Sequence, residues 1–225
     1  MEEHVTDQRP QADDTQTITI LTTEHNNLQN SRSATIFEAN GRTTLYLTSV
    51  SSAVVALAFI GQVSEMSQPF MIFALILLPT LLFMGIVTFV RVIETGLEDM
   101  ICHRGINRIR HYYTEVAPHL KDYFILSTHD DMKGYLQNMG ATNSPWQILL
   151  STAGLVAVIN GILAGVFVAL LLSIFISESI LVYIIVGIVV LIVSVYVHVR
   201  VNGHLYLNVE NRLHIRFPSD ESQKK

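Results

Sequence analysis

Residues 70–113 constrain this chain more than any other stretch. The run FMIFALILLPTLLFMGIVTFV carries no charge, and it passes without a turn signal into the densely charged RVIETGLEDMICHRGINRIRHYY. A hydrocarbon core of about 30 Å needs roughly 20 helical residues, which the uncharged run supplies. The pattern predicts one long helix, half in lipid and half in water, that changes solvent near Arg91.

Three other uncharged stretches are long enough to span, at residues 43–64, 145–177 and 179–199, with 66–90 the second in order. Half of the residues are hydrophobic and only 15% are charged, in clusters. A soluble helical bundle would need a polar stripe on every helix, and the second and fourth stretches lack one. Nothing alternates as barrel strands would, and lipid tolerates only helices or closed barrels. The predicted fold class is an all-α membrane protein, with four transmembrane helices in two hairpins and cytoplasmic helical extensions.

Orientation follows from the basic residues. The connections GQVSEMSQP and ISES carry no Lys or Arg, so all fourteen lie in the other three segments. The positive-inside rule then places both termini and the middle segment in the cytoplasm.

The chain divides into an acidic tail (1–17), a cytoplasmic N-terminal helix (18–42), a first transmembrane hairpin (43–90), a cytoplasmic helical segment (91–144), a second hairpin (145–199) and a cytoplasmic tail (200–225). The first segment has no apolar run for a cleavable signal and too little apolar surface to fold, so disorder is expected. Thr22 or Thr23 is the expected cap of the N-terminal helix. Asn40-Gly41 could end that helix or let it run on into the first span. A short helix is expected near residues 116–125. Ser127 with Asp130, or Thr128 with Asp131, has capping-box spacing, and Gly140 suits a helix stop. Ser144-Pro145 is expected to open the third span, with Trp146 at the interface. The tail after the fourth span supports only a weak helix, with disorder expected beyond Phe217.

The segments LTTEHNNLQNSRSATIFEANGRTTLYL, VTFVRVIETGLEDM, INRIRHYY and LSTHDD together resemble a family of small bacterial four-span membrane proteins with no established function. The resemblance covers roughly residues 21–166. It implies a bacterial inner-membrane location and the same four-helix layout, and it brings no residue roles.

Candidate chemistry is sparse. No Asp, Glu, Lys or Arg lies within a predicted span, which counts against ion-coupled transporters, proton pumps and intramembrane metalloproteases. Asn160 sits among Ala157, Gly161, Gly165 and Ala169, so Asn160, Gly161 and Gly165 are read as helix packing or as a pore lining. Ser49, Ala53, Ala56 and Gly61 form a similar small-residue face on the first span, and Pro79 is expected to kink the second. Arg104, Arg108 and His111 share a helical face, with Arg110 offset. That face suits water, acidic headgroups, a nucleotide signal or carboxylates of the N-terminal helix. Tyr112, Tyr113 and Tyr123 could stack on a base. Glu98–Cys102 and Asp99–His103 lie on adjacent faces, an awkward arrangement for a shared metal. His129-Asp130-Asp131 is read as capping rather than catalysis.

A net charge of -5 argues against nucleic acid. The expectation is a non-enzymatic, homo-oligomeric membrane protein without cofactor or metal, forming a pore or channel controlled by its cytoplasmic helices. The alternative is a non-conducting scaffold or regulatory subunit that recruits a cytoplasmic partner. The expected partners are the bilayer, further copies of the chain, and a cytoplasmic protein or anionic ligand.

Overall fold

The computed structural model describes residues 13–141, 144–176 and 179–219. Among these no strand occurs, and four helices are long and apolar enough to cross a membrane. The elements are α1 (Asp14–Val63), α2 (Gln68–Val116), a 3₁₀ turn (Pro118–Tyr123), α3 (Met132–Asn138), α4 (Pro145–Leu149), α5 (Thr152–Phe175) and α6 (Ile180–Arg212). The transmembrane four-helix fold expected from the sequence is present.

α1 and α2 dominate the molecule. At 50 and 49 residues each runs about 75 Å, more than twice the hydrocarbon thickness. They form one antiparallel pair over that length. Tyr46 lies opposite Gly85, Glu38 opposite Arg91, Arg32 opposite Asp99 and Leu28 opposite Gly105. The lower half of the pair is apolar. The upper half, beyond Arg91, is a polar stalk. Their turn holds Glu65 and Met66 at φ 52° and 58°, left-handed values that strain a side chain. The Met66 amide bonds the Gly61 carbonyl at 2.9 Å, and the Met66 side chain folds over Gly61, which together hold the turn.

α5 and α6 form the second hairpin. Its backbones touch because Gly161 and Gly165 face α6. A Cβ on Gly165 would lie 2.4 Å from the Gly187 carbonyl oxygen, and one on Gly161 would lie 3.1 Å from that of Leu191. This is small-xxx-small packing, which replaces the hydrophobic effect as the source of helix adhesion in lipid. The two hairpins meet through α2 and α5, around Leu78, Leu81, Phe89, Val156, Ala157 and Leu163.

Three boundaries differ from expectation, and a fourth, which the sequence leaves open, is settled by the structure. α1 starts at Asp14 and not at Thr22 or Thr23, because the Asp13 carboxylate accepts the Gln16 amide at 2.7 Å. Residues 14–17 therefore belong to the helix, while the rest of the expected tail, residues 1–12, lies outside the described residues. α1 also passes unbroken through Asn40-Gly41. A helical glycine costs about 1 kcal/mol, and contacts to α2 on both sides of it hold the helix straight on.

Pro145 opens only the short α4. The third span begins at Thr152, capped by Ser151, whose hydroxyl accepts the Gly154 amide at 3.2 Å. The chain doubles so tightly there that a Cβ on Gly154 would sit 2.1 Å from the Leu149 carbonyl oxygen. Finally, α6 continues as a firm helix to Arg212, and residues 213–219 then fold back onto the α2 stalk. Ser219 is buried there, contrary to disorder beyond Phe217, and residues 220–225 lie outside the described set.

Candidate functional site

Two polar clusters organise the molecule, one inside the spans and one in the stalk. The first joins all four spans at one level. Tyr46 of α1 and Asn160 of α5 are each 1% exposed, and the Tyr46 hydroxyl donates to Asn160 Oδ1 at 2.6 Å. Asn160 Nδ2 lies 3.4 Å from His198 Nε2 of α6. His198 Nδ1 is 2.8 Å from the Ser194 carbonyl, which can only accept, so Nδ1 carries the proton and Nε2 receives Asn160. The Phe89 ring of α2 meets His198 edge-on at 4.5 Å. Gly85 of α2 leaves the space in which Tyr46 and Asn160 meet. Gly85 is six residues from Arg91, which places this cluster about 9 Å below the basic boundary. Polar groups at such depth must find internal partners, and here α1, α5 and α6 supply them to one another while α2 gives the ring of Phe89 and the gap at Gly85.

Asn160, Gly161 and Gly165 are thus all used in packing within one copy and are buried.

The second cluster wraps the α2 stalk. Arg104, 3% exposed, donates from Nη2 to Glu210 of α6, while Nε and Nη1 have no partner among the described residues. Arg108 donates from Nε to Asp130 Oδ2 at 2.6 Å and from Nη2 to the His214 carbonyl. His111 stacks on Phe217 with ring centres 3.8 Å apart. The structure therefore brings Arg104, Arg108 and His111 onto one face, as the spacing requires. That face is covered by the chain's own C-terminal segment. The carboxylates it meets come from α6, from the loop before α3 and, at His111, from Glu115 of α2 itself at 3.5 Å, and not from the N-terminal helix.

Asp130 and Asp131 are the staples of that segment. Asp130 is fully buried and accepts the Arg216 amide at 3.0 Å and the Phe217 amide at 2.7 Å. Burial pushes its carboxyl up. The two amides and Arg108 outweigh burial and hold it below the ordinary aspartate value. Asp131 caps α3 by accepting the Gly134 amide at 2.8 Å. Its other oxygen accepts the Ser219 amide and hydroxyl at 2.8 and 2.6 Å. Asp131 caps, as the N-cap itself and not as the fourth residue of a capping box, whereas Asp130 caps no helix and Ser127 serves the His129 amide. Gly140, at φ 60°, ends α3 as expected.

Asn107, fully buried on α2, ties the same loop down from the other side. It donates to the His129 carbonyl at 2.7 Å and accepts from Asn138 and Arg110 at 2.8 and 3.1 Å. Arg110 is 8% exposed, and burial followed by the charge of Arg32 pushes its guanidinium pKa down. On the α1 side, Asp99 takes Arg32 at 2.9 Å and His103 at 3.3 Å. Among the described residues no group of three or more His, Cys, Asp or Glu could hold a metal.

A third feature lies on the outside. The face of α1 turned away from α2 carries Thr44, Thr48, Ser51, Ser52 and Gln62, all exposed. Ser49, on the flank, returns its hydroxyl to the Leu45 carbonyl at 2.8 Å, whereas Thr44, Thr48, Ser51 and Ser52 make no such bond. Its small-residue side, Ala53 and Gly61, is the one packed inward. Sequence reasoning missed Tyr46, His198, Asn107 and Glu210, whose partners are distant in the chain. The hydroxyl stripe was legible at helical spacing and was passed over. No family model, no curated protein and no solved structure matches this chain.

Proposed function

We propose that this protein is a homo-oligomeric pore of a bacterial inner membrane, with both termini cytoplasmic. The outer face of α1 lines the conducting path, and the stalk controls it. One observation carries the reading. Thr44, Thr48, Ser51 and Ser52 are exposed within a span, with no side-chain hydrogen bond among the described residues, on the least apolar of the four spanning helices. A hydroxyl left unpaired in hydrocarbon is costly. Copies arranged with these faces inward would give the hydroxyls water and leave the apolar faces of the other helices to the lipid.

The stalk supports control because α1 and α2 enter the membrane without a joint, and α6 is strapped to α2 through Glu210, Asp130 and Asp131. A change at the strap would bear on three of the four spans. The test is ion flux through proteoliposomes containing Ser51→Cys in a Cys102→Ala background. A pore predicts flux that a charged thiol reagent blocks.

A second reading, a non-conducting scaffold for a cytoplasmic partner, is favoured by one feature. A largely apolar groove of about 480 Å³ opens at the stalk tip, between Ile18 and His25 on one wall and Tyr112, Tyr113, Leu120 and Phe124 on the other. It predicts a monomer or dimer in detergent, no flux, and co-purification of a soluble protein.

A further inference from the structure

A different groove lies at the basic boundary of the spans, between α1 and α2. Its volume is about 240 Å³. Tyr46 and Thr88 form its buried floor, and Leu45, Phe83, Met84 and Val87 form its exposed apolar walls. Counted from Arg91, it runs from about 4.5 Å deep at Thr88 to about 12 Å at Phe83, within the roughly 15 Å of one leaflet. Arg42 stands at its shallow end.

Arg42 has donors to spare. It contributes Nε to Glu38 at 2.9 Å, but Glu38 is held more fully by Arg91, which reaches both of its oxygens at 2.7 and 3.1 Å. The terminal nitrogens of Arg42 have no partner among the described residues, and its side chain is 47% exposed. Glu94 and Glu98 lie on the water side of Arg91 and engage that arginine instead. Arg42 therefore faces the lipid headgroup zone as a cation only partly neutralised, directly above an apolar slot.

We infer that this groove is a binding site for one anionic phospholipid per chain. An acyl chain lies in the slot against Leu45, Phe83, Met84 and Val87, and the phosphate meets the free edge of the Arg42 guanidinium. Arginine suits this because its planar fork matches phosphate oxygens. The match is one of charge and depth together, with the cation at headgroup level and the apolar walls at acyl level. A water-soluble anion would use only the first, and a second copy of the chain would need neither.

The test reconstitutes full-length protein in vesicles of equal parts phosphatidylcholine and phosphatidylglycerol, extracts it into mild detergent, and counts retained lipids by native mass spectrometry. The expected result is one phosphatidylglycerol per chain, with roughly tenfold less retained by Arg42→Gln, as for one charge-assisted contact. Val87→Trp, which fills the slot and leaves every charge in place, removes it as well. Arg200→Gln, a boundary arginine on α6, retains it. The inference is overturned if Arg42→Gln retains phosphatidylglycerol like the wild type, or if phosphatidylcholine is retained equally. It is likewise overturned if inorganic phosphate displaces the lipid, or if the slot is occupied by a second chain and no lipid is carried.

Discussion

Gly85→Ala is the substitution for which the structure gives the sharpest energetic argument. In an isolated helix this change is favourable, by about 0.5–1 kcal/mol. Here the new Cβ would lie 1.8 Å from Asn160 Oδ1 and 2.6 Å from the Tyr46 hydroxyl. Neither atom can retreat cheaply, because both side chains are 1% exposed and bonded to each other. Overpacking of a filled site costs about 1–3 kcal/mol. Breaking the Tyr46–Asn160 bond adds roughly 0.6 kcal/mol, the usual worth of such a bond in lipid. The sum is a net loss of about 2 kcal/mol, or roughly thirtyfold in the folding equilibrium. Steric trapping between labels on α1 and α5 in mixed micelles would read this directly. Asn160→Ala in the same chain should recover the steric part and not the hydrogen bond, so the two changes should couple in a double-mutant cycle. If Gly85→Ala proved as stable as the wild type or more so, the junction of Tyr46, Gly85 and Asn160 would be wrong.

Other outcomes follow from the same structure. Asp130→Ala should free the Arg216 and Phe217 amides, with a local loss of about 1–3 kcal/mol. Hydrogen exchange would then accelerate in residues 213–217 while the spans stay protected. Gly165→Val should separate α5 from α6, since its Cβ would start 2.4 Å from the Gly187 carbonyl oxygen, and SDS resistance of that hairpin should fall by a few kcal/mol. Asp99, Asp130 and Asp131 are all held below the ordinary aspartate value of 3.8, so the stability they give the stalk is complete above that pH. It is lost only as pH falls through their depressed values. Exchange at residues 213–219 should therefore rise on acidification below that point, and a strap that opened instead as pH rose would contradict the sign.

The spans were legible in the sequence because uncharged length is a local property. The α2 lever was legible for the same reason, as residues 70–113 show no breaker beyond Pro79, through which α2 runs on. Helix ends were less legible. Asp13 and Ser151 cap where Thr22 and Ser144 had stronger local claims, because tertiary contacts extended α1 and a tight fold at Gly154 split off α4. The basic face from Arg104 to His111 was found by spacing, but what covers it was not. Glu210 and Phe217 lie about a hundred residues away, and only the return of the tail brings them there. Asn160 was singled out for its polarity. Its partners Tyr46 and His198 carry no local signal, because only the four helices side by side bring them to it.

The lining of the proposed pore by α1 is the central claim, and one measurement addresses it most directly. Ser51→Cys, Cys102→Ala protein is reconstituted in planar bilayers and exposed to a membrane-impermeant, charged methanethiosulfonate. The account predicts a current that the reagent reduces, and a current left unchanged by the same reagent on Val54→Cys, which lies on another exposed face of α1. No current from folded, inserted protein, or equal block at both positions, would contradict it.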